Sequence, residues 1–149
     1  MSADVRAPKL GFVGLGWIGR ARLEALAAAG AAEVTALCDT EPGRLGAAAR
    51  EHPRAAAFDD PSGLLGAAGR LGLEGLVIAT PTASHVELTV AALERGLAVL
   101  CQKPLAADAA GCRRAVAAAE RGDRLLGVDY TYRGLPGGSA PRSAACAAG

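Results

Sequence analysis

Runs of aliphatic and β-branched residues recur along this chain with Ala- and Leu-rich stretches between them, and that alternation most constrains its fold. The strand-like runs are KLGFVGLG (9–16), a strand entering a glycine turn, EVTALCD (33–39), LEGLVIAT (73–80), LAVLCQ (97–102) and RLLGVDYTY (124–132), with RAAAFDD (54–60) as a short sixth. Between them, residues 16–30, 41–52, 61–71, 82–96 and 106–122 read as helices. Strands that alternate with helices imply βαβ crossovers, hence a mostly parallel sheet covered on both faces. The fold class expected is α/β: a three-layer, mostly parallel sheet of about six strands. Aromatics make up only 3% of the residues, so the core is expected to be Ala, Val, Leu and Ile. In the first helix the apolar positions Ile18, Ala21, Ala25, Leu26 and Ala29 suggest the buried face, with Gly30 closing it. In the fourth, Thr82 is the expected N-cap, with a Ser84–Glu87 capping box as the alternative.

The charge balance narrows the function. Net charge is +1 with both signs interspersed, which gives no basic stripe for nucleic acid and no polybasic anchor for a membrane. No apolar run approaches the roughly 20 residues of a membrane span. The N-terminal stretch lacks a secretion-like apolar segment, so the expected compartment is cytoplasmic. The four cysteines, Cys38, Cys101, Cys112 and Cys146, have irregular spacing and form no metal-binding pattern. No metal is expected, and Cys38 and Cys101 are expected as buried free thiols.

GLGWIG (14–19) gives the spacing G-x-G-x-x-G after a strand and at the start of a helix. Gly14 permits the tight turn, Gly16 the approach of a pyrophosphate, and Gly19 the packing of helix on strand. The helix N-terminus offers free N–H groups and a partial positive charge to the phosphates. Asp39 ends the second strand, twenty residues after Gly19, where a carboxylate can accept from ribose hydroxyls and repel a 2′-phosphate. The expected cofactor is therefore NAD, with NADP less favoured. Arg44 is the residue that could reverse this, since a nearby arginine can accommodate a phosphate.

Three signatures resemble the glucose–fructose oxidoreductase and inositol dehydrogenase family (Gfo/Idh/MocA): GFVGLGWIG (11–19), the long stretch VIATPTASHVELTVAALERGLAVLCQKPLA (77–106), and LLGVDYTYR (125–133). The resemblance runs from residue 8 to about 136. With the doubly wound rule it implies a Rossmann-type, three-layer doubly wound sheet in the strand order 3-2-1-4-5-6 that binds a nicotinamide cofactor, with Trp17 and Ile18 in the phosphate loop and Thr80, Pro81 and His85 beside the cofactor. For His85 a local hydrogen bond at the helix start is an equal alternative. Lys103 matches the family's catalytic lysine, which orients a substrate hydroxyl and assists proton transfer. The chain uses lysine at only two positions, and lysine can titrate where arginine cannot. Gln102 is counted with the cofactor residues but departs from the family, which has an acid there.

The expected domain is residues 8–133, followed by a disordered tail over 134–149 that is almost wholly Gly, Ala, Ser and Pro. One reading of this break is that residues 137–149 are out of frame. The family's α+β substrate domain is expected to be absent. The resemblance implies hydride transfer between NAD(P) and a sugar, polyol or related hydroxyl compound. It also implies a chain inactive alone, taking a small substrate only if a second domain is supplied. The alternative is a non-catalytic dinucleotide-binding module or a truncated remnant.

Overall fold

A computed structural model describes residues 6–130. Six strands and five helices alternate: β1 (Lys9–Val13), α1 (Trp17–Ala28), β2 (Glu33–Cys38), α2 (Pro42–Glu51), β3 (Ala56–Phe58), α3 (Pro61–Leu71), β4 (Gly75–Ile78), α4 (His85–Glu94), β5 (Ala98–Gln102), α5 (Ala109–Gly122) and β6 (Leu126–Asp129). A 3₁₀ turn over Thr82–Ser84 leads into α4. The sheet order is β3-β2-β1-β4-β5-β6, with every pairing parallel. The expected fold class and strand order hold. The predicted tail, 134–149, lies outside the described residues.

Parallel strands buried on both faces alternate their side chains between two cores. On one face α3, α4 and α5 pack Leu64, Leu93 and Ala115 against Leu76, Ile78, Val99 and Cys101. On the other, α1 and α2 pack Leu23 and Ala48 against Phe12, Leu37 and Val77. β4, the central strand, is buried at all four positions. The first helix departs from the expected register: Gly19 and Leu23 are its buried residues, and Ala25 and Ala29 are exposed. Alanine is too small to dictate which face turns inward, so the seating of Gly19 decides it.

The helix starts differ in a way that matters for the site. Acids cap α2, α3 and α5: Glu41 accepts from Gly43 and Arg44 N–H, Asp60 from Ser62 and Gly63 N–H, and Asp108 from Gly111 N–H. Neither α1 nor α4 has a side-chain cap. The expected caps of α4 are used elsewhere. Thr82 opens the 3₁₀ turn, Ser84 Oγ donates toward the Pro81 carbonyl (2.9 Å) and lies 2.7 Å from Thr80 Oγ1, and Glu87 pairs with Arg114 of α5. Among the described residues no helix is long and apolar enough to cross a membrane.

Leu64 is fully buried between α3 and the sheet. Leu64→Ala is expected to lower stability by about 2–5 kcal/mol. It will be read as a lower urea midpoint with an unchanged slope.

Candidate dinucleotide-binding site

The turn between β1 and α1 is built on three glycines with separate jobs. Gly14 has φ +88°, and a Cβ there would meet the Ala79 backbone at 2.6 Å. Its N–H donates to the Cys38 carbonyl at 2.9 Å, tying the turn to the end of β2. A Cβ on Gly19 would stand 1.8 Å from the Gly14 carbonyl oxygen, so α1 can start this close only with glycine there. Gly16 is the opposite case. It has ordinary extended geometry (φ −65°), and a Cβ on it would meet nothing within 4 Å. The space at Gly16 is open because it faces a cleft, not because the fold needs it.

Asp39 follows β2 directly and is 6% exposed. Its carboxylate takes four donors: Leu15 N–H at 2.7 Å, Glu41 N–H at 2.8 Å, and Arg44 through Nε at 3.1 Å and Nη2 at 2.9 Å. Burial alone would push its pKa up. The bonds from Arg44, Glu41 and Leu15 outweigh burial and hold the carboxyl below the usual range. Arg44, half-exposed and singled out in the sequence as the residue near Asp39, lies against both of its oxygens. Beside it, burial and neighbouring carboxylates push the Cys38 thiol up to about 12, so it stays a neutral, apolar wall.

These elements enclose a cleft of about 620 Å³ at the carboxyl ends of β1, β2 and β4. Of the predicted cofactor residues, Gly14, Gly16, Trp17, Ile18, Asp39, Thr80 and Pro81 line it. Trp17 is 82% exposed. Gly19, His85, Gln102 and Lys103 do not line the cleft. Gly19 packs against Gly14 beneath it. His85 is buried behind the Thr80 loop, with Nε2 2.7 Å from the Thr80 carbonyl and Nδ1 2.7 Å from the Pro104 carbonyl. One contact is thus to the nearby Thr80 loop, and the other to the loop after β5.

Lys103 follows β5 and is exposed. Gln102 is half-buried and stands opposite Asp129 of β6 in the sheet register. Asp129 in turn pairs with Arg22 of α1. Sequence reasoning missed this pair, and it missed Ser84 and Leu88 as cleft residues. Ser84 was readable as polar and near Thr80. Nothing in the local pattern separates Leu88 from the core leucines. Among the described residues no cluster of His, Cys, Asp or Glu could hold a metal ion.

An open glycine turn, an uncapped helix start and a carboxylate at the next strand end, all on one cleft at the carboxyl edge of a doubly wound sheet, define a dinucleotide-binding domain. Residues 9–130 match the family described as "Oxidoreductase family, NAD-binding Rossmann fold". Inositol 2-dehydrogenase 1 of Saccharopolyspora erythraea is 39% identical over 128 residues, 84% of this chain and 37% of that protein. D-apiose dehydrogenase of Paraburkholderia graminis is 35% identical over 135 residues, 91% of this chain and 35% of that protein. The solved structure of the WlbA dehydrogenase from Bordetella pertussis, in complex with NADH and UDP-GlcNAcA, superposes with a TM-score of 0.75 at 31% identity, over 83% of this chain and 37% of that one. The chain belongs to the Gfo/Idh/MocA oxidoreductase family, and residues 9–130 are its NAD-binding Rossmann domain. It spans little more than a third of the length of these relatives.

The lowered pKa of Asp39 gives a signed expectation. Its contribution to stability is full above the ordinary aspartate pKa of about 3.9 and is lost as pH falls through the lower folded value. Urea midpoints of the native chain and Asp39→Asn will therefore differ near neutral pH and converge in strong acid. A constant separation at every pH would contradict it.

Proposed function

We propose that this chain is the cofactor-binding part of an NAD-dependent dehydrogenase acting on a hydroxyl group of a sugar, polyol or related compound, with Lys103 as its catalytic lysine. One observation carries the reading: seven residues singled out by the glycine turn, Asp39 and the Thr-Pro loop meet on a single cleft. Its volume lies in the range of ligand sites. The residues fit the group. The open space at Gly16 and the uncapped start of α1 suit a pyrophosphate, and the Leu15 and Glu41 N–H groups keep Asp39 facing the ribose side. Arg44 is the donor that yields when ribose hydroxyls arrive, because it is the half-exposed partner. The carboxylate disfavours a 2′-phosphate, while Arg44 softens that bias.

Bound NAD supplies a hydride acceptor. The chain's own contribution to the chemistry is Lys103, exposed at the end of β5. Its side chain would orient the substrate hydroxyl and assist proton transfer. Holding a substrate in reacting geometry with water excluded needs walls on the far side of the cleft. The greater length of the relatives leaves room for a second domain to supply them. The described part alone is expected to bind cofactor without turnover. We place the protein in the cytoplasm, where a nicotinamide pool and reducing conditions suit the buried free thiols Cys38 and Cys101.

Calorimetric titration tests this. NADH is expected to bind, and more tightly than NADPH. Gly16→Ala is expected to keep the thermal midpoint of the free chain, since its methyl meets no atom, yet to weaken NADH at least about tenfold, or about 1.4 kcal/mol. Absence of NADH binding at millimolar concentration would sink the reading. Reduction of NAD by the chain alone with a polyol panel would contradict its dependence on a second domain.

A further inference from the structure

The Asp39 carboxylate lies in the cleft wall with every place on it taken. A carboxylate offers about four lone-pair sites on its oxygens. Oδ2 accepts from Leu15 N–H at 2.7 Å and from Arg44 Nε at 3.1 Å. Oδ1 accepts from Glu41 N–H at 2.8 Å and from Arg44 Nη2 at 2.9 Å. Two donors on each oxygen leave no site for a ribose hydroxyl. A donor must leave before Asp39 can hold a ribose.

The donors differ in what their departure would break. Leu15 is buried and stands between Gly14 and Gly16 in the glycine turn. Glu41 is the N-cap of α2: its carbonyl accepts from Leu45 N–H at 3.1 Å, and its side chain holds the Gly43 and Arg44 N–H groups. Moving either backbone donor means rebuilding the turn or the helix start. Arg44 is different. Its side chain is half-exposed, lines the same cleft, and among the described residues bonds to Asp39 alone. Rotation of that one side chain is enough to free the carboxylate.

A 2′-phosphate is treated otherwise. It brings acceptors rather than donors, so it needs no site on Asp39. The guanidinium is a planar fork with more N–H groups than Asp39 engages through Nε and Nη2. The other terminal nitrogen can donate to a phosphate while the ion pair stays in place. The paired arginine also offsets the charge with which Asp39 would repel that phosphate.

We propose that Arg44 is a specificity-determining residue: a plug on the ribose position of Asp39 that NAD(H) must displace and that the 2′-phosphate of NADP(H) can use where it stands. Arg44 thus holds the preference for NAD below what Asp39 alone would set. The inference rests on the cleft being the dinucleotide site, as proposed above, and deepens that reading by giving the means by which the two cofactors are told apart.

Calorimetric titration of NADH and NADPH against the native chain and Arg44→Met tests it. Methionine keeps an unbranched apolar stem and has no donor. NADH is expected to bind the variant about fivefold more tightly than the native chain, because nothing has to leave Asp39. NADPH is expected to bind it at least about tenfold more weakly, because an unpaired carboxylate then faces the extra phosphate. The opposite signs are the signature. An arginine that only orders its loop, or only attracts phosphates, would on removal weaken both cofactors, and that result would overturn the proposal. Unchanged NADH binding would overturn it as well. Arg44→Ala carries the same two expectations if the methionine variant does not fold. Failure of the native chain and both variants to bind NADH at millimolar concentration would instead remove the reading of the cleft, and this inference with it.

Discussion

Everything at the carboxyl edge of this sheet depends on a contact that leaves no room for a side chain. The backbone of α1 comes so near the Gly14 carbonyl that even a methyl at Gly19 would overlap it. That approach fixes where α1 begins, and α1 in turn aims its free N–H groups into the cleft. The same contact sets the register of the helix. Leu23, one turn further on, falls onto Phe12 and Leu37, and the alanines that looked like an apolar face turn to solvent. A backbone constraint at one residue thus decides both the mouth of the site and the smaller of the two cores.

Asp39 is the second hub. It is buried, and its four donors come from the β1 turn, from its own loop and from α2. A carboxylate so placed holds three segments in a common frame. Three of the four bonds carry more than one duty. Two come from Arg44, the only side-chain donor, and that residue stands partly in solvent. The backbone bond from Leu15 links the carboxylate to the glycine turn itself. The backbone donors are fixed by the fold, whereas the Arg44 guanidinium reaches Asp39 from a half-exposed side chain.

How much of this was legible depended on whether the cause was local. Alternating strand and helix signals are local, and they led to the parallel six-strand sheet, while its order came from the family resemblance and the doubly wound rule. The glycine spacing and the offset of Asp39 are also local, and of the residues they pointed to Gly14, Gly16 and Asp39 line the cleft while Gly19 packs beneath it. The helix-start signals at Thr82 and Ser84 were local too, yet they misled, because Ser84 and Glu87 had stronger partners nearby in space. What stayed hidden came from parallel register. Gln102 stands opposite Asp129, and the Pro104 loop comes within reach of His85, only because β4, β5 and β6 lie side by side with their ends level. No spacing along the chain encodes such neighbours, since the connecting helices vary in length.

The exposed indole at the mouth of the cleft has a practical meaning. Trp17 is the sole tryptophan of the sequence, and it sits in the cleft wall at the first position of α1, 82% exposed to water. The hydrophobic cores contain none. Intrinsic fluorescence of this protein excited at the indole edge therefore reports on one place, the cleft, and is nearly blind to the cores. A nicotinamide cofactor entering beside Trp17 would change its emission without any label.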